Sequence, residues 1–261
     1  MKITFLGTGT SIGVPQIGCQ CEVCTSGDPR DRRLRASALF EATDARGNGC
    51  THILLDCGPD FREQMLRIGM REPLDAVLIT HEHYDHVGGL DDLRPYSVFG
   101  GVSVYAEKFC MDHLMERIPY CFTPPEKRYP GVPALDLMEI EPHKPLVVKG
   151  VTIMPIRVMH AKLPIVGFRI GNFAYITDMK TIPDSELPML EGVEYLIVNG
   201  LRHKEHPSHQ TIEEAIAFAR QLGVKEAWLI HMSHHIRRHQ QEEASLPAGI
   251  HLAYDGEVIN F

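Results

Sequence analysis

Short apolar runs rich in β-branched and aromatic residues recur along the chain, separated by polar turns, as expected of strands buried in a globular protein. Residues 3–6 (ITFL), 52–56 (HILLD), 75–80 (DAVLIT), 151–158 (VTIMPIRV), 173–177 (FAYIT), 195–198 (YLIV) and 227–230 (AWLI) read as such strands. Between them the spacing predicts helices over 60–68, 107–116 and 211–222, the last placing Ile212, Ala215, Ile216, Ala219 and Leu222 on one face. Gly171-Asn172, set between FRI and FAYIT, carries the two-residue hairpin signal, so part of the sheet structure should be antiparallel. The proline-rich stretch 121–145 reads as a long irregular connection. No repeat, low-complexity tract or linker marks a boundary, and residues 1–261 are read as a single domain.

Several of the apolar runs stop on a polar residue. DAVLIT runs into His81, IRVM into His160, FAYIT into Asp178, LIV into Asn199 and AWLI into His231. Strand ends held by neighbouring strands fix donor atoms at set separations, so these residues should converge on one rim.

The densest chemistry comes after the third strand, where His81-Glu82-His83-Tyr84-Asp85-His86 packs three imidazoles and a carboxylate into six residues. On a tight loop, residues 81 and 83 can face one point and residues 85 and 86 another, which suits two ions. Two divalent metals about 3.5 to 4 Å apart would clamp and ionise a water, lowering its pKa from near 15.7 to roughly 7. Imidazole and carboxylate serve Zn and also Mn or Fe, so ligand type leaves the metal open.

H-x-H-x-D-H at residues 81–86 resembles the hallmark of the metallo-β-lactamase superfamily, without a departure. The resemblance implies an αββα sandwich of two mixed β-sheets flanked by helices, an α/β (α+β) fold, with the metals at one edge. It places His81, His83 and His160 on one metal, Asp85, His86 and His231 on the other, and Asp178 between them. Asp56, in LLDCG, matches an earlier strand-end aspartate that orients ligands; a turn or capping role is the alternative. Matching motifs run from residue 7 to residue 234.

Three further features are similar to the PhnP-type phosphodiesterases. Cys19, Cys21 and Cys24, as C-x-C-x-x-C, together with His234, match a closed structural zinc site. His160-Ala161-Lys162-Leu163, with Gly167 shortly after, is similar to an H-x-K-L segment in which Lys162 would meet a substrate phosphate as a point charge. His209, opening His209-Gln210-Thr211, matches a histidine that protonates the leaving oxygen or stabilises charge at phosphorus. Asp85 and His209 are taken as the catalytic residues. The expectation is hydrolysis of a small phosphodiester, a cyclic phosphoribosyl or cyclic nucleotide phosphate, by metal-bound hydroxide. The cofactors would be two divalent ions (Zn or Mn) and one structural Zn. Alternatives are a tRNase Z-like nuclease or thioesterase of the same fold and a di-iron oxidoreductase, although relatives of the last kind carry Glu where His83 stands.

Composition narrows the partners. Lys plus Arg number 26 and Asp plus Glu 34, a formal charge of −8, which argues against a large polynucleotide footprint and leaves a small anionic substrate in a local positive pocket. Hydrophobic residues make up 44%, and no apolar stretch approaches a membrane span. The start MKITFLGTGT lacks the apolar core of a signal peptide, so a cytoplasmic protein is expected. Seven cysteines make a complete disulfide framework unexpected; Cys50, Cys57, Cys110 and Cys121 read as small buried hydrophobes. Eight further histidines, among them His52, His203, His206 and His239, read as solvated or hydrogen-bonded, with His203 and His206 near enough to His209 to line its pocket. A homodimer is left open.

Overall fold

A computed structural model of the protein describes residues 1–43 and 49–261. Among these, the first sheet contains β1 (Lys2–Gly7), β2 (Ser37–Thr43), β3 (Cys50–Leu55), β4 (Ala76–Leu78), β5 (Val102–Ala106) and β6 (Leu135–Glu139). The second contains β7 (Leu146–Val148), β8 (Val151–His160), β9 (Leu163–Ile170), β10 (Phe173–Ile176), β11 (Tyr195–Asn199), β12 (Glu226–Ile230) and β13 (Ile250–Leu252). β14 (Val258–Asn260) returns to the first sheet beside β1, giving the orders β14-β1-β2-β3-β4-β5-β6 and β13-β12-β11-β10-β9-β8-β7. Both sheets are mixed: β3 to β6 and β10 to β13 run parallel, and the remaining pairs are antiparallel.

The period of two along each strand assigns the layers. Ile53 and Leu55 of β3 join Phe5, Phe40, Phe168 and Tyr175 in the layer between the sheets, where Phe40 and Phe173 stack with ring centroids 5.9 Å apart. Leu54, facing the other way, packs with Phe61 and Met65 of α1 (Phe61–Ile68). A short helix, α2 (Tyr84–Val87), comes after β4, and α3 (Lys108–Arg117) adds Leu114 to the same outer layer. On the second sheet, Ile212, Ala215, Phe218 and Ala219 of α4 (Ile212–Leu222) cover Leu196, Val198 and Leu229; a last short helix, α5, spans His239–Glu243. The result is the αββα sandwich, and each large apolar side chain buried in it contributes roughly 1.5 to 3 kcal/mol.

The expected helices begin one residue late, because Asp60, Glu107 and Thr211 are the residues that precede them. Thr211 closes a reciprocal capping box: its hydroxyl accepts from the Glu214 N–H at 3.1 Å, and the Glu214 carboxylate accepts from the Thr211 N–H at 2.8 Å. The Gly171-Asn172 hairpin joins β9 to β10 as expected, with Gly171 at φ 61°. The stretch 121–145 departs from its reading, since β6 lies inside it, paired along its whole length with β5. Prolines there bound a strand instead of replacing one. β2, with Glu41 and two threonine or serine positions among its seven residues, is a further strand beyond those expected. No described helix is long and apolar enough to cross a membrane.

Candidate active site

Parallel strands put their carboxyl ends at one edge of each sheet, and the candidate site is built from residues just past those ends. Asp56 after β3, Asp178 after β10 and His231 after β12 all take left-handed backbone, at φ 59°, 57° and 57°. That conformation costs a non-glycine residue on the order of 1 kcal/mol and persists only where surrounding structure determines it. Here the surroundings are packed strands, and the turn it makes brings each polar side chain to the sheet edge.

Two clusters result. His81, His83 and His160 bring one nitrogen each to a common point, and Asp85, His86, Asp178 and His231 form a second, wholly buried group. In the second, the His86 Nε2 lies 3.2 Å from both Asp85 and Asp178, and the His231 Nε2 lies 3.2 Å from Asp178 and 3.3 Å from Asp85. Asp178 also lies 3.5 Å from the Nδ1 of His209, whose ring centroid is 4.6 Å from that of His160. His83 is exposed, so the site opens on that side.

Outer partners fix the rings. His86 donates its Nδ1–H to Asp56 at 2.8 Å, and His160 donates its own to the Ser208 carbonyl at 2.8 Å. The Thr80 hydroxyl donates to Asp56 and lies 3.0 Å from the Nδ1 of His81. With Nδ1 so engaged, each of these imidazoles turns its Nε2 inward, the nitrogen a metal would take in place of a proton. Asn199 belongs to this support: its side chain clips both backbone groups of Met179, at 2.7 and 2.9 Å, holding the turn that carries Asp178. Thr80 and Ser208 carry no signal in the sequence, because one acts through a hydroxyl on its neighbour and the other through a backbone carbonyl 48 residues from its partner.

The electrostatics fit divalent cations. Burial opposes ionisation of Asp178, but His231 and His86 hold it well below the usual carboxylate range. Burial likewise opposes protonation of His86, yet Asp178, Asp85 and Asp56 together raise it well above the usual imidazole range. His81 is pushed well down by burial and by His86, so it stays neutral. The His86 Nε2 is buried without a hydrogen-bond partner among the described residues although it faces two carboxylates, an orphan that a metal would satisfy.

The cysteine cluster forms at the other side of the chain's return. His234, three residues past His231, places its Nδ1 3.3 Å from the Cys19 sulfur and 3.4 Å from that of Cys21, with Cys24 in the same group. Burial raises the Cys21 thiol, but the Cys24 N–H and the neighbouring His234, Cys19 and Cys24 side chains outweigh it and bring the group down to about 6. Burial and the adjacent sulfurs push Cys24 up to about 12. Three sulfurs and an imidazole brought to one point form a donor set that fits zinc, which would displace the remaining thiol protons.

The remaining expected residues lie around the rim. Lys162 is exposed at the tip of the β8–β9 turn, two residues from His160. His206 lies beside His209, with centroids 5.0 Å apart, whereas His203 is turned toward Glu213 and Glu242. Burial is the main reason that His209 is pushed down to about 3.

A model of the β-lactamase superfamily domain matches residues 51–232. The chain belongs to this superfamily of metallo-β-lactamase-fold hydrolases, and the fold implies divalent metal ions at the His/Asp site. Within it the chain belongs to the PhnP family: it is 38% identical to a solved diphosphatase of that family, covering 100% of this chain and 96% of that one with a TM-score of 0.89. Zn²⁺-bound PqqB from Methylobacterium extorquens, 20% identical, shares the fold with a TM-score of 0.81 over the full length of both chains. A curated octanoyltransferase from Porphyromonas gingivalis is 49% identical over 257 residues, 98% of this chain and 51% of that protein. The chain therefore spans about half the length of this relative.

Proposed function

We propose that the protein hydrolyses a small phosphodiester, such as a cyclic phosphoribosyl or cyclic nucleotide phosphate. The observation that carries this reading is His209, a buried imidazole 3.5 Å from Asp178 that belongs to neither ligand set, although its ring nitrogen also groups with donors of His160 and Asp178; it is read as serving a departing oxygen. His81, His83 and His160 would hold one metal, Asp85, His86 and His231 the other, with Asp178 between them; Zn or Mn suits these donors. Such a pair supplies ionised water at neutral pH and offsets the charge that develops on phosphoryl oxygens.

The chain's own residues do the rest. Asp56, Thr80 and Ser208 hold the ligating rings in one tautomer, and Asp85 keeps its negative charge toward the reacting centre. Lys162, exposed at the rim, is available as a point charge for a substrate oxygen. Burial keeps His209 neutral until a phosphate anion arrives beside it; the anion then favours the charged imidazolium, which gives its proton to the leaving alkoxide. Acidic overall charge favours a small substrate over a long nucleic acid.

A phosphoanhydride is the second reading, favoured by the 38% identical diphosphatase. A hydrolysis panel on metal-loaded protein separates the possibilities: cyclic phosphoribose, 2′,3′-cyclic nucleotides, linear diesters, a diphosphate diester, an octanoyl thioester and a lactam. Turnover of the cyclic diesters is the expected result. Turnover confined to the thioester or lactam would overturn attack at phosphorus.

A further inference from the structure

On the outer face of the first sheet, at the end away from the candidate active site, β2 and β3 bring together three side chains of metal-binding type. Their antiparallel register places Glu41 opposite His52, and Cys50, two residues before His52, projects to the same face. One donor atom from each of Glu41, Cys50 and His52 lies within 4.8 Å of the others. They line a surface depression of about 720 Å³ together with Lys2, Arg67 and Met70. Six residue steps along β3 separate Cys50 from Asp56, a distance of roughly 20 Å.

Local bonding engages the donors only lightly: the Cys50 thiol makes one long contact, 3.9 Å, to the Thr51 carbonyl. Lys2 binds Oε2 of Glu41 at 2.6 Å, while Oε1 points toward the His52 Nε2, 3.8 Å away and too far for a hydrogen bond. His52 is 8% exposed, and its Nδ1 is buried without a partner among the described residues. A largely buried imidazole would ordinarily have its ring nitrogens satisfied. A sulfur, an imidazole nitrogen and a carboxylate oxygen arranged around one point form a donor set suited to zinc or a similar borderline divalent ion, with further positions open to solvent.

The geometry points to a divalent-metal site at Glu41, Cys50 and His52, distinct from the hydrolytic pair and from the cysteine cluster at residues 19–24. Zinc binds as Cys50 gives up its thiol proton to solvent, Oε1 of Glu41 turns inward and Lys2 retains Oε2. The site lies too far from the rim to touch a substrate there, so it serves as a separate binding or anchoring point on the molecule.

Cys50 can be monitored individually by alkylation and peptide mass spectrometry. In the full chain, with its tight metal sites already filled, added Zn²⁺ should slow iodoacetamide labelling of Cys50 by about tenfold or more, since the thiolate is the nucleophile and the ligand. His52→Gln and Glu41→Gln should each weaken that protection at least about 10-fold in zinc concentration. Both should leave Cys19, Cys21 and Cys24 protected and hydrolysis unchanged. Labelling of Cys50 at the same rate with and without zinc, or full protection retained in His52→Gln, overturns the site. Neither result bears on the phosphodiester reading, which is judged by turnover.

Discussion

Asp56 and His86 are both fully buried, and the carboxylate of one accepts the Nδ1–H of the other at 2.8 Å. Asp56 also accepts from the Thr80 backbone N–H at 2.9 Å and from its hydroxyl, so one side chain sets the orientation of the loop that carries His81 to His86. Asn tolerates the left-handed backbone that Asp56 adopts, so Asp56→Asn should fold. It removes the negative charge behind His86 and should weaken metal retention about 10 to 100-fold. Metal analysis after dialysis checks this, and wild-type retention would mean that His86 is held by packing alone.

Asp178 faces His86, His231 and His209 at once. If it joins two metals, Asp178→Ala should lose metal and reduce turnover by at least the roughly 10 to 100-fold typical of losses one shell further out. Full occupancy with normal activity in this variant would remove Asp178 from the bridging position.

The role of His209 is tested by changing the leaving group. General acid catalysis is worth about 10² to 10⁴ in rate. His209→Ala should lose about that factor in kcat on diesters with alkoxide leaving groups, with both metals retained. A nitrophenolate departs with little protonation, so the loss on activated esters should be smaller. Equal losses on both substrates would assign His209 to phosphate binding, and loss of metal would make it a ligand.

Cys21→Ser should release one zinc per chain and lower the melting temperature, because metal binding and folding are coupled at closed sites. Zinc there would tie the 19–24 loop to His234, more than 200 residues away in sequence. An unchanged zinc count, measured on protein of verified fold, would leave the three cysteines as free thiols.

His239 gives the fold a pH dependence of its own. It accepts from the buried guanidinium of Arg33 at 3.1 Å, and burial together with Arg33 and Arg30 pushes it down to about 4. The unfolded chain, with a histidine near its usual 6.5, therefore binds more protons than the folded one between pH 6.5 and 4. Stability from this group is present above pH 6.5 and falls as the pH drops, by about 2 kcal/mol between pH 7 and pH 5. Urea titrations at the two pH values should show a smaller loss in His239→Gln than in the wild type. The same loss in both proteins would place the acid sensitivity elsewhere.

Residues near one another in the chain are legible directly. His81 to His86 lie in one short segment, so their spacing alone implies two neighbouring points, and short apolar, β-rich runs are enough to expect β3, β8, β10, β11 and β12. Residues hidden from a linear reading are those whose partners come from another strand. β2 (SALFEAT) and β5 (VSVYA) mix apolar with polar positions and are flanked by strands on both sides, and β6 sits among prolines that read as a loop. The resemblance already names His234 as a ligand, but it is the turn after β12 that brings it back to the cysteines, and Glu41, Cys50 and His52 meet only through the register of one hairpin. Sequence by itself determined which side chains have metal chemistry and which strands end on them. Tertiary structure alone decided which of them meet, because separations between strands are set by hydrogen-bond register and sheet packing, and neither is encoded in the spacing along one segment.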